Sequence, residues 1–340
     1  MRAFVLVRHG EASRAFEERE IPDPVPGPGQ VRIAVEMFGL NFADVMARLG
    51  LYQDAPPFPA VLGYDVVGRI DRVGAGIGHL REGMRVVAMT RFGGYATLAL
   101  SAAFGVYEIP DGFDGAAATA LATQYVTAWY AGVELVRLHA GDRVLIQGAA
   151  GGVGTALVQI ARLHGCLVFG TTGTPGKMSH LAEIGVDVPL CTLGSGFEAE
   201  YRKVSGGKPL DVIFDSLGGG GVRKGLRILG SGGRLVSYGV ADMVGPQHTF
   251  TSSIRTLLAF GFPHPLVLLL QSKSLLGINM LRIADERPEI IGRCLSEVVP
   301  RGVRGELRPV VGKVFPAAEF SAAHEWLRKR QSTGKIAVAW

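Results

Sequence analysis

The chain has 340 residues, of which 48% are hydrophobic and 19% are charged, and its formal net charge is +5 at pH 7. This composition excludes a disordered chain and allows two ordinary domains. The charge suits an anionic ligand but is far below that of a DNA-binding protein. The densest basic run, 328–330, is expected on a solvated helix end, which we favour over an RNA site.

The chain has three cysteines, far apart along the sequence, which argues against a disulfide framework. The first ten residues, MRAFVLVRHG, have too short an apolar run for a secretion signal. The most apolar stretch, 256–270, is interrupted by Pro263 and Pro265 well below the length of a membrane span. We therefore expect a cytoplasmic protein without stable membrane insertion.

Short alternating apolar runs, such as VRIAV (31–35) and RVVAM (85–89), fill the first part of the chain up to about residue 115. Turns rich in proline and glycine separate these runs. The pattern predicts a β-rich, barrel-like unit.

The pattern changes near residue 116, where a helix-forming stretch begins. Apolar strands without polar alternation then alternate with helices; examples are RVLIQ (143–147), CLVFG (166–170) and DVIFD (211–215). Such strands indicate a parallel sheet covered on both faces. The chain ends in a strand-like KIAVAW (335–340), which can return to the first unit.

A glycine-rich loop, GAAGGVG (148–154), follows the first of these strands and precedes a helix. In this context the pattern indicates a dinucleotide cradle, in which backbone N–H groups at the helix start bind a pyrophosphate; the alternative is a bare turn between strand and helix. The residues predicted to line the cradle are Ala150, Gly151, Gly152 and Val153.

The second strand of this region ends in VFGTTGTPGK (168–177) and has no acidic residue before Glu183. NAD-binding units usually carry an acid there, which would repel the 2′-phosphate of NADP. Thr172, Thr174 and Lys177 offer hydroxyls and a cation instead. We therefore predict NADPH as the cofactor, although Lys177 also suits an ordinary first helical turn.

Together these residues resemble the zinc-independent quinone oxidoreductases of the medium-chain dehydrogenase/reductase superfamily, and within them the vesicle amine transport protein 1 (VAT-1) branch. The motifs that carry the resemblance are FGLNFADVMARLGLY (38–52), GAAGGVG (148–154), VFGTTGTPGK (168–177), DSLGG (215–219), VSYGVADMVGP (236–246) and STGKIAV (332–338).

The resemblance implies an α/β fold in which a GroES-like β-rich catalytic domain, residues 1–118 and 264–340, accompanies a Rossmann doubly wound domain, residues 119–263. It also implies a homodimer joined through the cofactor domains. Zinc-dependent relatives carry a cysteine where this chain has Asn41, and a Gly-His-Glu where it has residues 63–65, Gly-Tyr-Asp. No zinc is expected.

The residues carried over from the family fall into two groups. Asn41, Asp44 and Tyr52 match positions near the nicotinamide and the substrate. Further positions that match cofactor contacts are Asn41 itself, Thr127, Tyr238, Gly239, Asn279 and Lys335. Two departures stand out: Met46 replaces a tyrosine of many quinone oxidoreductases, and Thr192 replaces a tyrosine near the adenosine phosphate.

Each catalytic candidate also has a structural interpretation: Asn41 in a turn, Asp44 as a helix N-cap, and Tyr52 as a packed aromatic. The function expected from these residues is hydride transfer from NADPH to a quinone or an α,β-unsaturated carbonyl, without metal. Two alternatives remain open: a reductase of enoyl thioesters, and a non-catalytic NADPH-binding protein that acts in trafficking or binds RNA.

Overall fold

A computed structural model of the protein describes residues 1–244, 261 and 263–340. The end of the motif at 236–246, and positions 256–260 and 262 of the apolar stretch, lie outside the described residues. The chain forms two compact units, Met1–Thr127 with Leu281–Trp340, and Ala128–Met280.

The first unit is built mainly of β-strands. They are β1 (Arg2–Leu6), β2 (Phe16–Glu20), β3 (Gln30–Leu40), β4 (Ala60–Val61), β5 (Asp65–Val73), β6 (Arg85–Met89), β7 (Leu98–Ala102), β8 (Val106–Glu108), β15 (Val311–Pro316) and β16 (Lys335–Ala339). Its helices are α1 (Ala12–Ala15), α2 (Phe42–Arg48), α3 (Gly115–Ala120), α11 (Pro288–Val303) and α12 (Phe320–Arg328).

These strands form a small sheet, β2-β1-β4, and a larger one, β15-β16-β3-β5-β6-β8, in which β7 also pairs with β3. All pairs are antiparallel except β15 with β16. The long strand β3 is rich in β-branched and aromatic residues, which suit a largely buried pleated surface. The last strand, β16, pairs with β3, so the end of the chain completes the first unit, as its sequence pattern allows.

The second unit holds a parallel sheet with helices between its strands. The strands are β9 (Arg143–Ile146), β10 (Leu167–Thr172), β11 (Val188–Cys191), β12 (Leu210–Asp215), β13 (Leu229–Ser237) and β14 (Ser274–Gly277). The helices are α5 (Gly152–Leu163), α6 (Met178–Glu183), α7 (Phe197–Val204), α8 (Gly220–Ile228) and α9 (Pro265–Gln271).

The strand order is β11-β10-β9-β12-β13-β14, and every neighbouring pair is parallel. The first strand, β9, thus lies in the middle, and the order reverses there, as in doubly wound nucleotide-binding folds. The predicted fold class, a β-rich unit with a Rossmann-like unit, is confirmed.

Two short helices, α4 (Val126–Trp129) and α10 (Met280–Glu286), contain the points at which the chain passes from one unit to the other. The family resemblance implies that the chain passes between the units at residues 118–119 and 263–264. The second point lies later in the structure because β14 pairs with β13 and extends the parallel sheet. None of the described helices is long and apolar enough to cross a membrane.

Candidate functional site

The glycine-rich loop joins β9 to α5 at the carboxyl edge of the parallel sheet. The N–H of Gly148 donates to the hydroxyl of Thr171 at 3.3 Å, and the N–H of Ala149 donates to the Thr171 carbonyl at 3.0 Å. These bonds hold the loop against β10. Thr171 is buried and holds the loop in place, a role that the sequence pattern did not predict.

The shape of this loop suits a pyrophosphate. Helix α5 begins at Gly152, where the first N–H groups have no partner within the helix. Gly151, the residue before it, has no side chain to fill the cradle, and a Cβ placed there would contact only the Gly148 carbonyl oxygen, at 3.3 Å. The helix start is therefore open to an anion.

The end of β10 forms the corner where the 2′-phosphate was predicted. The Thr172 hydroxyl accepts a hydrogen bond from the N–H of Thr174 at 3.1 Å, so Thr172 shapes this turn. The N–H of Thr192 donates to the Thr172 carbonyl at 2.8 Å and brings the next strand end close. Thr174 is exposed and Lys177 is half-buried, and this burial lowers the pKa of the lysine.

The other predicted residues of this unit follow the neighbouring strands at the same edge of the sheet. Tyr238 and Gly239 come directly after β13, and Asn279 comes after β14. A Cβ on Gly239 would lie 2.7 Å from the Ser216 carbonyl oxygen, so only glycine allows this close approach. Burial raises the pKa of Tyr238.

Two buried polar side chains at this edge were given no role from the sequence. Gln147 directly follows β9 and Asp215 is the last residue of β12, and these are the two neighbouring strands where the sheet order reverses. One oxygen of Asp215 accepts the N–H groups of Leu217 and Gly218, at 2.9 and 3.1 Å. Burial raises the pKa of Asp215 to about 6. The only signal was the DSLGG motif, whose aspartate is residue 215.

In the first unit, Asn41 and Asp44 lie at the start of α2. Asn41 is the N-cap residue, and its N–H donates to Asp44 Oδ2 at 2.9 Å. The other Asp44 oxygen accepts the N–H of Gly63 at 3.2 Å. Asp44 is thus the third residue of the helix and not its N-cap. Burial raises the pKa of its carboxyl group to about 7 against the lowering effect of the Asn41 N–H.

Asn41 also belongs to a buried polar cluster with Asp65 and Lys335. The ammonium of Lys335 lies 3.0 Å from Asn41 Oδ1 and 2.9 Å from Asp65 Oδ2, and Asn41 Nδ2 donates to Asp65 Oδ2 at 2.6 Å. Strand order explains the meeting, since β16, β3 and β5 are adjacent. A Cβ on Gly39, between them, would lie 1.9 Å from Asp65 Oδ1, so glycine there makes room for the cluster.

The remaining predicted residues of this unit have ordinary local contacts. Tyr52 is half-buried, its ring lies edge-on to Tyr64 with centroids 6.5 Å apart, and burial raises its pKa. The buried hydroxyl of Thr127 donates to the Thr123 carbonyl at 2.7 Å. Met46 packs inside α2 as a buried side chain.

In the cluster of Asn41, Asp65 and Lys335 the ammonium neutralises the carboxylate. Within residues 1–244, 261 and 263–340, no three histidine, cysteine, aspartate or glutamate side chains are grouped to hold a metal.

Two family models match the chain in its two units. "Alcohol dehydrogenase GroES-like domain" matches residues 27–133, and "Zinc-binding dehydrogenase" matches residues 152–295. The human "Synaptic vesicle membrane protein VAT-1 homolog" is 30% identical over 339 residues, which cover 99% of this chain and 86% of that protein. The chain belongs to the medium-chain dehydrogenase/reductase superfamily. The family expected from the motifs is confirmed, as is its likeness to the VAT-1 homologues.

Solved structures of similar proteins share the fold of this medium-chain dehydrogenase/reductase along its whole length. Mycobacterial Rv1454c, solved in complex with NADPH, is 26% identical with a TM-score of 0.87 and full coverage of both chains. The enoyl reductase of CurK is 26% identical with a TM-score of 0.84, covering 99% of each chain.

Proposed function

We propose that this medium-chain dehydrogenase/reductase is an NADPH-dependent oxidoreductase that reduces a quinone or an α,β-unsaturated carbonyl without metal. The observation that carries the cofactor assignment is the end of β10, where hydroxyls and the Lys177 ammonium take the place of an acid beside a glycine cradle. The NADPH complex of Rv1454c, a protein of the same fold, supports it.

The residues of the second unit supply the cofactor site in this proposal. Backbone N–H groups from Ala150 to Val153 bind the pyrophosphate, and Thr174 with Lys177 bind the 2′-phosphate. Tyr238, Gly239 and Asn279 line the reactive end. When bound, NADPH supplies the hydride. The family resemblance adds Thr127 to the residues expected to contact the cofactor.

In this proposal Asn41 and Tyr52 donate hydrogen bonds to the acceptor. Reduction places negative charge on the acceptor oxygen, and a fixed N–H or O–H donor lowers the energy of that charge. Asp44 holds the start of α2, from which Asn41 projects, and so orients the donor. A reduced quinone or enolate takes its final proton from water or Tyr52.

The absence of a zinc requirement is part of the proposal. Asn41 and Tyr64-Asp65 stand where zinc-dependent relatives have metal ligands, and the Lys335 ammonium lies between Asn41 and Asp65. A cation fixed there repels a second cation. Activity after dialysis against a chelator is the direct test, and loss of activity that zinc restores would contradict this part.

A panel of acceptors tests the proposed reaction. NADPH oxidation is followed with 1,4-benzoquinone, 3-penten-2-one and crotonyl-coenzyme A, each against an NADH control. We expect turnover with the quinone or the enone and a preference for NADPH. No turnover with either would overturn the proposed reaction, and turnover with the thioester alone would establish the second candidate, an enoyl-thioester reductase, which the likeness to the CurK enoyl reductase favours.

A non-catalytic role in trafficking or RNA binding is the outcome of the same panel if NADPH binds tightly and no acceptor is reduced.

We also propose a cytoplasmic homodimer. Among the described residues, strand β14 lies at the edge of the parallel sheet, and helix α9 before it exposes Leu269 and Leu270, 74% and 76% accessible. A second copy that pairs with this edge would cover both apolar side chains.

A further inference from the structure

The buried cluster of Asn41, Asp65 and Lys335 determines which way the Asn41 amide points. An ammonium only donates hydrogen bonds and an ionised carboxylate only accepts them. Lys335 therefore requires the amide oxygen and Asp65 requires the amide nitrogen. Both partners demand the same orientation, which is the one observed, at 3.0 Å and 2.6 Å.

This orientation decides what Asn41 offers to a ligand. Its oxygen is engaged by the ammonium, and one of the two N–H bonds of Nδ2 is engaged by the carboxylate. The second N–H has no partner among the described residues. Asn41 thus keeps one N–H donor for a ligand, while its oxygen already faces the ammonium, and a donor suits an oxygen that gains negative charge.

The charges of the pair also strengthen that donor. A cation on the amide oxygen draws electrons from the nitrogen and makes its N–H bonds more polar, and the low dielectric of a buried site enlarges the effect. Lys335 and Asp65 have no accessible surface, so water does not weaken their interaction. The amide is held on two sides and loses little freedom when a ligand binds.

We propose that Lys335 and Asp65 are positioning residues that hold Asn41 as a one-directional hydrogen-bond donor to the oxygen of the acceptor. This inference rests on the proposed function for the identity of the ligand. It assigns Lys335 a different role from the predicted cofactor contact, because the wholly buried ammonium acts through Asn41. The ligands that fit are carbonyl oxygens of quinones, enones and thioesters.

Nuclear magnetic resonance tests the positioning without any turnover. The chain has only two asparagines, Asn41 and Asn279, so protein labelled with ¹⁵N-asparagine gives two side-chain NH₂ groups. The Asn279→Ala variant assigns them. In the wild type we expect the two Asn41 protons to differ widely in chemical shift and to exchange slowly with water, because one is bound to a carboxylate.

The variant for this test is Lys335→Met with Asp65→Leu, which replaces the ion pair by apolar side chains of similar volume and leaves no unpaired buried charge. In this variant we expect the chemical shifts of the two Asn41 side-chain protons to become similar. We also expect both protons to exchange with water at least about tenfold faster, since an amide without these partners is open to solvent. The matched control, Arg32→Met with Asp71→Leu, removes a different ion pair of the same unit, which is only partly buried. Unchanged Asn41 signals in the folded Lys335 and Asp65 variant would overturn the proposal.

Kinetics with 1,4-benzoquinone and NADPH form the second test. We expect the Lys335→Met and Asp65→Leu variant to lower kcat about 10- to 100-fold, as loss of orienting partners does elsewhere, with the KM for NADPH within about twofold of wild type. In an Asn41→Ala background the same pair of changes should cost nothing more. An equal loss in both backgrounds would refute the inference. A wild type that reduces no acceptor contradicts the proposed function, while the resonance experiment still decides the positioning.

Discussion

Gly154, in the first turn of α5, lies directly against Gly148 in the loop after β9: a Cβ on Gly154 would be 2.3 Å from the Gly148 carbonyl oxygen and 2.7 Å from Ala149 Cα. Both obstacles are backbone atoms, which move less readily than a side-chain end. The close approach of α5 to the loop therefore depends on glycine at residue 154.

Replacing Gly154 by alanine should lower the free energy of unfolding by about 1–3 kcal/mol, because the added methyl group overpacks the loop. Urea unfolding followed by circular dichroism measures the change. The control is Gly112→Ala, where a Cβ would meet nothing within 4 Å. Equal urea midpoints for the two variants would show that the loop moves to accommodate the added methyl group.

Gly151→Ala should separate cofactor binding from stability. The backbone of Gly151, φ −79° and ψ 173°, suits any residue, so the fold should lose little. The methyl group would occupy the cradle, and we expect the Kd for NADPH to rise more than about tenfold, or about 1.4 kcal/mol. Fluorescence titration with NADPH measures it; an unchanged Kd would place the pyrophosphate elsewhere.

Lys177→Ala should raise the KM for NADPH far more than the KM for NADH. Losing a charged partner of the 2′-phosphate costs about 1.5–3 kcal/mol, and NADH has no such phosphate. Lys208→Ala, an exposed lysine of the same unit, is the control. Steady-state rates with both cofactors measure the effect. Equal changes for the two cofactors would show that Lys177 does not bind the phosphate.

Asp44 should make stability fall as pH rises toward neutrality. Burial raises the pKa of Asp44 from the usual 3.8 to about 7. Between these two pH values the folded protein keeps a proton on Asp44, whereas the unfolded chain has released it. The contribution of protonated Asp44 to the free energy of unfolding is complete below its unfolded pKa and is lost as pH rises through about 7. The total loss is up to about 4 kcal/mol.

The Asp44→Asn variant stays neutral and should lose this slope, although it also gives up one backbone hydrogen bond. Urea unfolding from pH 5 to pH 8 compares it with wild type and with Asp111→Asn, an exposed carboxylate in a surface ion pair. A slope that survives in Asp44→Asn would mean that another group carries the proton.

Leu269→Ser with Leu270→Ser should convert a dimer to a monomer, because the polar side chains remove the apolar contribution of α9 to the joined edge. Light scattering after size-exclusion chromatography measures the mass. Val303→Ser, which changes an exposed apolar side chain of the first unit, should leave the dimer intact. A wild-type monomer would contradict the proposed assembly.

The sequence predicted well those features that depend on neighbouring residues. Apolar runs without alternation indicated the buried parallel strands, and the glycine loop lies between β9 and α5 as its pattern indicates. The extent of the second unit was harder to predict. Strand β14 is short and only partly buried, and its place follows from register with β13 and not from its own pattern.

In the candidate site, too, features that depend on neighbouring residues were easier to predict than contacts between distant residues. The resemblance names Asn41 and Lys335 but not their contact. Lys335 lies 294 residues from Asn41 and 270 residues from Asp65 along the chain. No local pattern encodes a contact that arises from the order of strands β16, β3 and β5. Asp44 suits an N-cap by its sequence neighbours, whereas the N-cap in the structure is Asn41, three residues earlier, and the helix begins at Phe42.

The pairing of β16 with β3 has a consequence for how the protein is made. Residues 1–127 leave the ribosome without the strand that pairs with Met37–Leu40 at the end of β3 and without the lysine that neutralises Asp65. Residues 128–280 form one contiguous unit and have all their strands before the last sixty residues are synthesised. The end of β3 lacks this partner until β16 is synthesised, so a pause in translation late in the message would prolong the period in which this edge can pair with other chains.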